Sequence, residues 1–440
     1  MTSSPALPLV ERASARGMVV WAVGVAGYVV AVFARTSLSA TGVEAAVRFG
    51  ASSSVLSLFT VLQLAVYAGM QVPAGATIDR LGSRKAIAIG CTLVGAGQIA
   101  IAFAGDVPTA IAARVLVGTG DAFCFISVLR LLPAWFPGPQ VGLVTQLTGL
   151  VGQLGQLLSL GPLVWVVHSR GWTTAFVLAG SVTLLVAALA LLLVRDGRRH
   201  HVVEVHLPAG GPPPHRTTTF SADDVEGVLV RTWRNAGTRA GFWVHFTTPF
   251  SAYMFALLWG FPFMTRSQGL SAPLALAALS VFVLGCVGFG LLIGLVTSRH
   301  PHRRLRTVLV VVAAQVVAWA VVLAWPGTAP AWTLFVLALV LAGGPPTSLI
   351  GFDLARATNP LSSLGLATGM VNMGGFVSSL VVVLGIGVVL DVVGESTPDR
   401  FTDAGFTMAL LVQVPVVLVG LVMLRRSLPA YRLLVGRARS

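Results

Sequence analysis

Three charged residues lie inside long apolar stretches of this 440-residue sequence: Arg35, Arg114 and Asp121. A charge inside hydrocarbon is costly, so such residues are candidates for a functional site by default. Arg114 and Asp121 are seven residues apart, about 20° around a helix at ~100° per residue, and therefore share a face. The structural alternative is that Arg114 reaches the outer surface and Asp121 bonds to a neighbouring helix. Arg130, nine residues beyond Asp121 on the opposite face, is expected to be an ordinary interfacial residue.

Arg35 lies on one face of the first apolar stretch, together with Tyr28 and three other residues, Trp21, Gly24 and Ala31. Their alternating spacing of three and four residues is that of a single helical face. A buried guanidinium needs a carboxylate, a phosphate or an acidic side chain of the protein to satisfy it. We predict that Arg35 binds an anionic solute beside Tyr28, with an interfacial arginine as the alternative.

Polar residues in two further stretches could line a cavity for that solute. Gln146, Gln153 and Gln156 are spaced by seven and three residues, and glutamines in an apolar helix need a wet cavity or a partner helix. His245 and Trp259 share a face of a later stretch. A histidine, whose unperturbed pKa is ~6.5, could bind a proton, although a hydrogen-bonded interfacial histidine is the alternative. We predict that all five residues bind substrate.

The segment Gly343-Gly344-Pro345-Pro346 interrupts another apolar stretch. Each proline removes a backbone donor and clashes with the preceding turn, so an unbroken helix is excluded. Such a break is tolerated at membrane depth where it is buried or faces a cavity. We predict a hinge at Pro345 and Pro346, followed by an ion pair between Asp353 and Arg356 that braces the second half.

The composition indicates that these residues lie in membrane-spanning helices. The chain is 55% hydrophobic and 10% charged, with a mean hydropathy of +0.87, whereas soluble domains are roughly 45–50% apolar and 25% charged. A helix crosses the bilayer core with ~20 apolar residues. We therefore predict an all-α polytopic membrane protein with twelve spans, at approximately 18 to 40, 53 to 78, 86 to 104, 107 to 134, 139 to 168, 173 to 194, 240 to 265, 272 to 298, 304 to 325, 330 to 356, 360 to 391 and 401 to 425.

The spans fall into two similar halves. Four residues of span five recur 220 positions later in span eleven: Thr148, Gly149, Val151 and Gly155 as Thr368, Gly369, Val371 and Gly375. Six helices repeated once is a plan found in transporters whose halves rock around a central site. We predict a bundle at 1–194, a cytoplasmic linker rich in proline, glycine and charge at 195–239, and a second bundle at 240–440.

The distribution of basic residues predicts the orientation. If the N-terminus is cytoplasmic, 23 of the 29 lysines and arginines lie in cytoplasmic segments and 4 lie outside. That asymmetry follows the positive-inside rule and explains the net charge of +14 without a nucleic-acid partner. We expect both termini in the cytoplasm, with the first apolar stretch retained as a helix. The three cysteines, Cys91, Cys124 and Cys286, form neither a disulfide nor a metal pattern.

The basic turn GATIDRLGSRK, at 75–85, resembles the motif between the second and third helices of the major facilitator superfamily. Its matching residues, called here the latch motif, are Gly75, Asp79, Arg80, Gly82, Arg84 and Lys85. In that family the turn is a cytoplasmic latch, and a carboxylate and guanidinium at a helix end can form charge-assisted bonds to the facing half. A second copy at 294–304 has Ser298 in place of the aspartate and Pro301 in place of a glycine. We expect a weaker latch there.

Two further resemblances to this family concern the buried charges. The segment from Arg114 to Gly120 resembles a fourth-helix pattern whose arginine has been linked to proton coupling, which implies Arg114 and Asp121 as the coupling centre. Branches of the family that carry organic anions also place an arginine in the first helix, as Arg35 is here. The phosphate-carrying branch adds an arginine in the seventh helix, where the repeat leads to Met254. A monoanion is therefore favoured over a phosphate ester.

The combined prediction is a monomeric proton-coupled transporter of a small organic anion, acting by alternating access in a bacterial cytoplasmic membrane. Its partners are the solute and the lipid bilayer, and its energy source is the proton gradient rather than a cofactor or metal. A drug or metabolite efflux antiporter of the same family is the main alternative. A channel fits less well with hinge prolines and duplicated halves. A membrane enzyme lacks support because the sequence shows no metal-ligand cluster or nucleophile–base pair on one face.

Overall fold

The computed structural model describes residues 14–50, 53–197, 222–394 and 401–437, and the regular elements in these ranges are helices. Most of the apolar stretches form one long helix each. The first half contains α1 (Ala15–Ala40), α2 (Gly42–Phe49), α3 (Ser53–Leu81), α4 (Ser83–Phe103), α5 (Val107–Trp135), α6 (Gly138–Gly152), α7 (Leu154–Leu158), α8 (Val164–Arg170) and α9 (Trp172–Leu193). A π-helical segment, Ser159–Leu163, joins α7 to α8.

The second half repeats this plan with more interruptions. It contains α10 (Ala222–Arg234), α11 (Ala236–Thr247), α12 (Phe250–Met254), α13 (Gly260–Pro262), α14 (Ala272–Arg299), α15 (Arg304–Leu323), α16 (Ala331–Leu341), α17 (Gly344–Ser348), α18 (Ile350–Arg356), α19 (Leu364–Val392), α20 (Asp403–Leu410) and α21 (Gln413–Arg437). Short π- or 3₁₀-helical segments lie at Phe255–Trp259, Phe263–Ser267, Pro301–Arg303 and Leu361–Ser363.

In the described residues, eleven helical stretches are long and apolar enough to cross a membrane. The predicted all-helical membrane fold is therefore confirmed. The predicted seventh span, 240 to 265, is not among the eleven because it is broken into short helices. Pro249 has no N–H to continue the hydrogen-bond ladder of α11, which ends at Thr247.

Part of the segment predicted as a linker is helical. The rings of Trp233 in α10 and Phe242 in α11 are 5.1 Å apart, so α10 packs beside the second bundle. Residues 198–221 of the predicted linker lie outside the described ranges.

The two bundles pack against each other through small residues of α3 and α19. A Cβ added at Gly75 would overlap the backbone of Gly365, and one added at Gly369 would overlap the carbonyl of Gln71. Glycines allow this close backbone approach between helices. These contacts lie near the end of the molecule that carries Asp79, which we call the latch end. The bundles are thus in contact at the latch end.

Candidate functional site

Arg35 and Asp121 form an ion pair between α1 and α5. The Nε of Arg35 donates to Oδ2 of Asp121 at 2.7 Å, and Nη2 donates to Oδ1 at 2.9 Å. This two-bond geometry is the strong form of an arginine–carboxylate contact. The Asp121 side chain is fully buried, whereas that of Arg35 is 18% exposed. The structure therefore satisfies Arg35 with an acid of the protein, and the guanidinium remains the accessible partner.

Tyr67 of α3 connects this ion pair to the boundary between the bundles. The guanidinium carbon of Arg35 lies 4.6 Å from the centre of the Tyr67 ring, a cation–π contact. The Tyr67 hydroxyl accepts a hydrogen bond from Nδ2 of Asn372 in α19 at 3.0 Å, and Asn372 also donates to Gln71 at 2.8 Å. The predicted site does not include Tyr67, Gln71 and Asn372, although polar side chains inside apolar spans are a signal that could have identified them.

Arg114 is completely buried and does not pair with Asp121. Its guanidinium donates to the backbone carbonyl of Ala34 at 2.9 Å and to that of Arg35 at 2.8 Å. It also donates to Oε1 of Gln63. The predicted coupling centre is therefore arranged differently, because Asp121 contacts Arg35 while Arg114 holds the backbone of α1 where Arg35 is attached.

Tyr28 is buried near this ion pair. Its ring lies 4.8 Å from that of Phe125, and it packs so closely on Gly152 that a Cβ there would overlap the ring.

The three glutamines do not form one row. Gln146 is buried and donates to the carbonyl of Pro346 in the other bundle at 2.8 Å. Gln153 is exposed at the end of α6, and Gln156 is half-buried in α7. Gln153 is itself the one-residue turn between α6 and α7, and the three side chains differ in exposure.

His245 and Trp259 both bond to backbone carbonyls. Nδ1 of His245 lies 3.1 Å from the carbonyl oxygen of Ser348, which can only accept, so this nitrogen donates. The Nε2 atom of His245 is buried without a hydrogen-bond partner in the described part of the chain. The indole N–H of Trp259 donates to the carbonyl of Val383 at 2.9 Å. Both side chains tie parts of the second bundle together.

Asp79 of the latch motif bonds to the other bundle. Its carboxylate accepts from the backbone N–H groups of Gly365 at 2.8 Å and Leu366 at 2.7 Å, in the first turn of α19. Arg130 lies 3.2 Å from the same carboxylate and also donates to the carbonyl of Leu361. The expectation that Arg130 is an ordinary interfacial residue is therefore wrong: it supports Asp79 and contacts the second bundle itself.

The other residues of the latch motif have separate positions. Gly75 provides the close contact with Gly365, and Gly82 turns the chain with φ of 82° between α3 and α4. Arg84 donates to the carbonyl of Leu191 at 2.7 Å, which ties it to its own bundle. Arg80 and Lys85 are exposed at the latch end.

A second set of contacts between the bundles lies near the second copy of the motif, at 294–304. The hydroxyl of Ser298 bonds back to its own helix at Gly294. The carboxylate is supplied instead by Asp353, which pairs with Arg356 at 2.7 Å. Arg356 then donates to the hydroxyl of Thr145 in the first bundle at 3.3 Å. The ion pair predicted to brace the second half is thus also joined to the first half.

The helix break predicted at Pro345 and Pro346 is present. The helix α16 ends at Leu341, and the short helices α17 and α18 continue the span. The carbonyls of Pro346 and Ser348 in this region accept from Gln146 and His245, as described above. Whether the segment moves as a hinge stays a prediction.

Within the described ranges, no group of three or more histidine, cysteine, aspartate or glutamate side chains could hold a metal ion. The central charged residues are one acid and two arginines. Such a set can bind an anion and a proton.

Comparison with known proteins identifies the family and the fold. A family model described as Major Facilitator Superfamily matches residues 24–383. The probable galactarate/D-glucarate transporter GudP of Bacillus subtilis is 24% identical over 382 residues, covering 82% of this chain and 83% of that protein. The probable sulfoacetate transporter SauU of Cupriavidus necator is 25% identical over 174 residues, 40% of each chain. The chain is also similar to a solved structure, a bacterial homolog of the human lysosomal transporter Spinster in an inward-facing and unoccupied conformation. The match covers 96% of this chain and 98% of that chain, with 15% sequence identity and a TM-score of 0.54.

Proposed function

This chain belongs to the Major Facilitator Superfamily, and on that premise we propose that it moves a small organic anion together with a proton by alternating access. As a member of that family it is a multi-pass membrane transporter and not an enzyme. The observation that carries the proposal is the buried pair of Arg35 and Asp121. Support for the anionic solute comes from the relatives, which are named for galactarate, D-glucarate and sulfoacetate.

Arg35 is the proposed ligand for the solute carboxylate. A guanidinium has five N–H donors, and Asp121 occupies two of those on Arg35. The remaining donors can bind a carboxylate, which matches the planar geometry of arginine. Further hydrogen-bonding groups lie at the boundary between the bundles: Tyr67 and Gln71 on the side of Arg35, and Asn372 on the facing side.

Asp121 is the proposed proton site because it shares Arg35 with the solute. In the arrangement described here Arg35 and Asp121 compensate each other, while Arg114 is bound by three neutral oxygens. A solute carboxylate on Arg35 would bring a second negative charge beside that of Asp121, and two carboxylates at one buried site disfavour each other's charged form. A proton on an Oδ atom of Asp121 removes that charge, and Arg35 then pairs with the carboxylate. A solute with one carboxylate, such as gluconate, would therefore be carried with one proton and without net charge, whereas a dianion such as D-glucarate or sulfoacetate would leave one negative charge uncompensated by that proton.

Arg114 is the proposed positioning residue for this exchange. Its bonds to the carbonyls of Ala34 and Arg35 fix the backbone from which the Arg35 side chain extends. Because those bonds need no change of protonation, Arg114 can keep the site in place while Asp121 titrates.

We place the latch end, and with it both termini, at the cytoplasmic face of the cytoplasmic membrane. The support is the excess of basic residues at that face, 23 against 4. The bundles are in contact at the latch end, so alternating access would require the bonds of Asp79 and Gln146 to break when the carrier opens inward.

The test is uptake into proteoliposomes that contain the purified protein and carry an inward proton gradient. Labelled gluconate, D-glucarate and sulfoacetate are the probes. We expect accumulation of at least one of them by the wild type and by Arg266→Gln, a control at an exposed arginine. Asp121→Asn should lose accumulation but retain exchange of labelled for unlabelled anion, and Arg35→Gln should lose both.

Two results would overturn the proposal. If Asp121→Asn still accumulates the anion against its gradient, Asp121 is not the proton site. If the protein moves a lipophilic cation and Arg35→Ala still does so, it is an efflux antiporter of the same family.

A further inference from the structure

We propose that a cavity at the latch end is a second anion site, which binds a single carboxylate or phosphate group. The cavity has a volume of about 210 Å³ and lies between the bundles. Its walls include Phe136, Gly138 and Gly142 of the first bundle and Arg304, Asp353 and Arg356 of the second. Arg35 lies about 30 Å along α1 from the latch end of that helix, so the two sites are distinct.

The charges around the cavity favour an anion. Asp353 pairs with Arg356 at 2.7 Å and with Arg304 at 3.3 Å. Two positive charges thus surround one negative charge, which leaves a net charge of one positive unit. The Nε atom of Arg304 is buried and has no hydrogen-bond partner among the residues that the structure describes. A buried donor without a partner is costly, and an oxyanion would satisfy it.

The beginning of α6 adds to this positive character. Pro137 is the residue before this 15-residue helix, and no side chain caps the helix there. The start of a helix carries a partial positive charge. Pro139 has no N–H and that of Gln140 bonds to the carbonyl of Pro137, so this helix end adds its dipole, and not a row of free donors, to a site already defined by the cavity and two arginines.

The size of the cavity suits one oxyanion group. A volume of about 210 Å³ leaves room for a carboxylate or phosphate group and part of its hydration. A Cβ added at Gly138 would meet no atom within 4 Å, so the space beside this wall residue is open.

Binding here would favour the arrangement in which the latch end is closed. Because both bundles form the walls, the cavity is complete only while they are in contact. A ligand that binds one conformation shifts the population towards it. An anion at the latch end would therefore hold the carrier closed on that side, whether it is a free solute or a lipid headgroup.

Thermal unfolding of the purified full-length protein tests this site without any transport measurement. Potassium phosphate is titrated in detergent against potassium chloride of equal ionic strength. We expect phosphate to raise the unfolding temperature of the wild type in a saturable way. Arg304→Gln should raise the apparent dissociation constant by about tenfold or more, the effect of losing a hydrogen bond to a charged group. Arg306→Gln, an exposed arginine two residues further on, should behave like the wild type.

A second variant and a second readout keep the test independent of folding. Gly138→Leu fills the cavity without removing a charge and should also abolish the effect. Phosphate should slow maleimide labelling of Leu366→Cys, a position buried between the bundles, in a background that lacks the native cysteines. Arg35→Gln should leave both effects unchanged.

The source of the anion is resolved in lipid nanodiscs. If a headgroup occupies the site, phosphatidylglycerol raises the unfolding temperature of the wild type relative to phosphatidylcholine but does not do so for Arg304→Gln. If a free anion occupies it, the phosphate effect is equal in the two lipids. The proposal fails if phosphate acts no more than chloride, if Arg304→Gln keeps the wild-type response, or if Arg35→Gln alone removes it.

Discussion

The carboxylate of Asp79 accepts a hydrogen bond of 2.8 Å from the backbone N–H of Gly365, which lies 286 residues later in the chain. The donor belongs to the first turn of α19, where backbone N–H groups lack partners within the helix. A negative charge at this position is also stabilised by the helix dipole. One acidic side chain of the first bundle thus caps a helix of the second, and the bond exists only while the bundles touch.

Replacing Asp79 by alanine should open the latch end. A hydrogen bond to a charged group contributes about 1.5–3 kcal/mol, so the loss of ~2 kcal/mol would change the ratio of closed to open molecules about thirtyfold. Maleimide labelling of Leu366→Cys should therefore accelerate in Asp79→Ala. Ser298→Ala is the control, because the Ser298 hydroxyl bonds to Gly294 of its own helix and to no other residue in the described part of the chain. Equal acceleration in both variants would contradict the asymmetry of the two latches.

A methyl group at Gly369 should have a similar effect for a steric reason. The added Cβ would overlap the carbonyl oxygen of Gln71 across the boundary between the bundles. Gly369→Ala should therefore increase labelling at Leu366→Cys without removing a charge. Gly288→Ala is the matched control, since a Cβ at that helical position meets nothing within 4 Å. Unchanged labelling in Gly369→Ala would show that the α3–α19 contact adapts to the added atom.

Arg114→Lys should weaken anion binding while leaving the coupling ratio intact. An ammonium group cannot reproduce the fork that reaches the carbonyls of Ala34 and Arg35 together with Gln63. We expect a higher KM, an unchanged number of protons per anion, and a loss of roughly 2 kcal/mol in stability. Arg48→Lys is the control.

Arg48 also donates to two backbone carbonyls, those of Ala102 and Ala104, but at the end of α4. Its lysine variant should lose stability without a change in KM. If Arg114→Lys instead abolished proton-driven accumulation at an unchanged KM, Arg114 would belong to the coupling centre itself.

Two variants of His245 distinguish its role as a hydrogen-bond donor from a role as a proton site. Asparagine can still donate to the carbonyl of Ser348 but does not titrate near neutral pH. We expect His245→Asn to transport with the pH profile of the wild type. His245→Leu should lower stability by ~1–3 kcal/mol because the Ser348 carbonyl loses its partner. A shifted pH profile in His245→Asn would identify His245 as a proton site.

The sequence predicted the features that depend on short spacing. The latch motif is a short turn in which the glycines and the aspartate must occupy fixed positions. Asp79 of this turn bonds to the other bundle, as predicted. The helix break at Pro345 and Pro346 follows from proline chemistry alone. The all-helical membrane fold follows from composition and the length of the apolar stretches.

Contacts between distant helices could not be read from spacing. Arg114 and Asp121 share a face of α5, yet Asp121 bonds to Arg35 because α1 packs beside it. Arg130 lies on the face of α5 opposite to Asp121, and its partner Asp79 belongs to another helix, α3. Both contacts depend on how the helices are rotated relative to each other, and spacing within a single sequence does not predict that rotation.

The buried amide of Gln146 depends on the other bundle for its acceptor. It donates to the carbonyl of Pro346 at 2.8 Å, and that acceptor withdraws when the bundles separate, although the carbonyl keeps the N–H of Leu349 at 3.3 Å. An amide donor left without a partner inside the membrane costs about 2–7 kcal/mol, so water must bind Gln146 at the moment of opening. Hydration of Gln146 and separation of the halves would then be one event, and the chain could open at this end only as fast as water enters there.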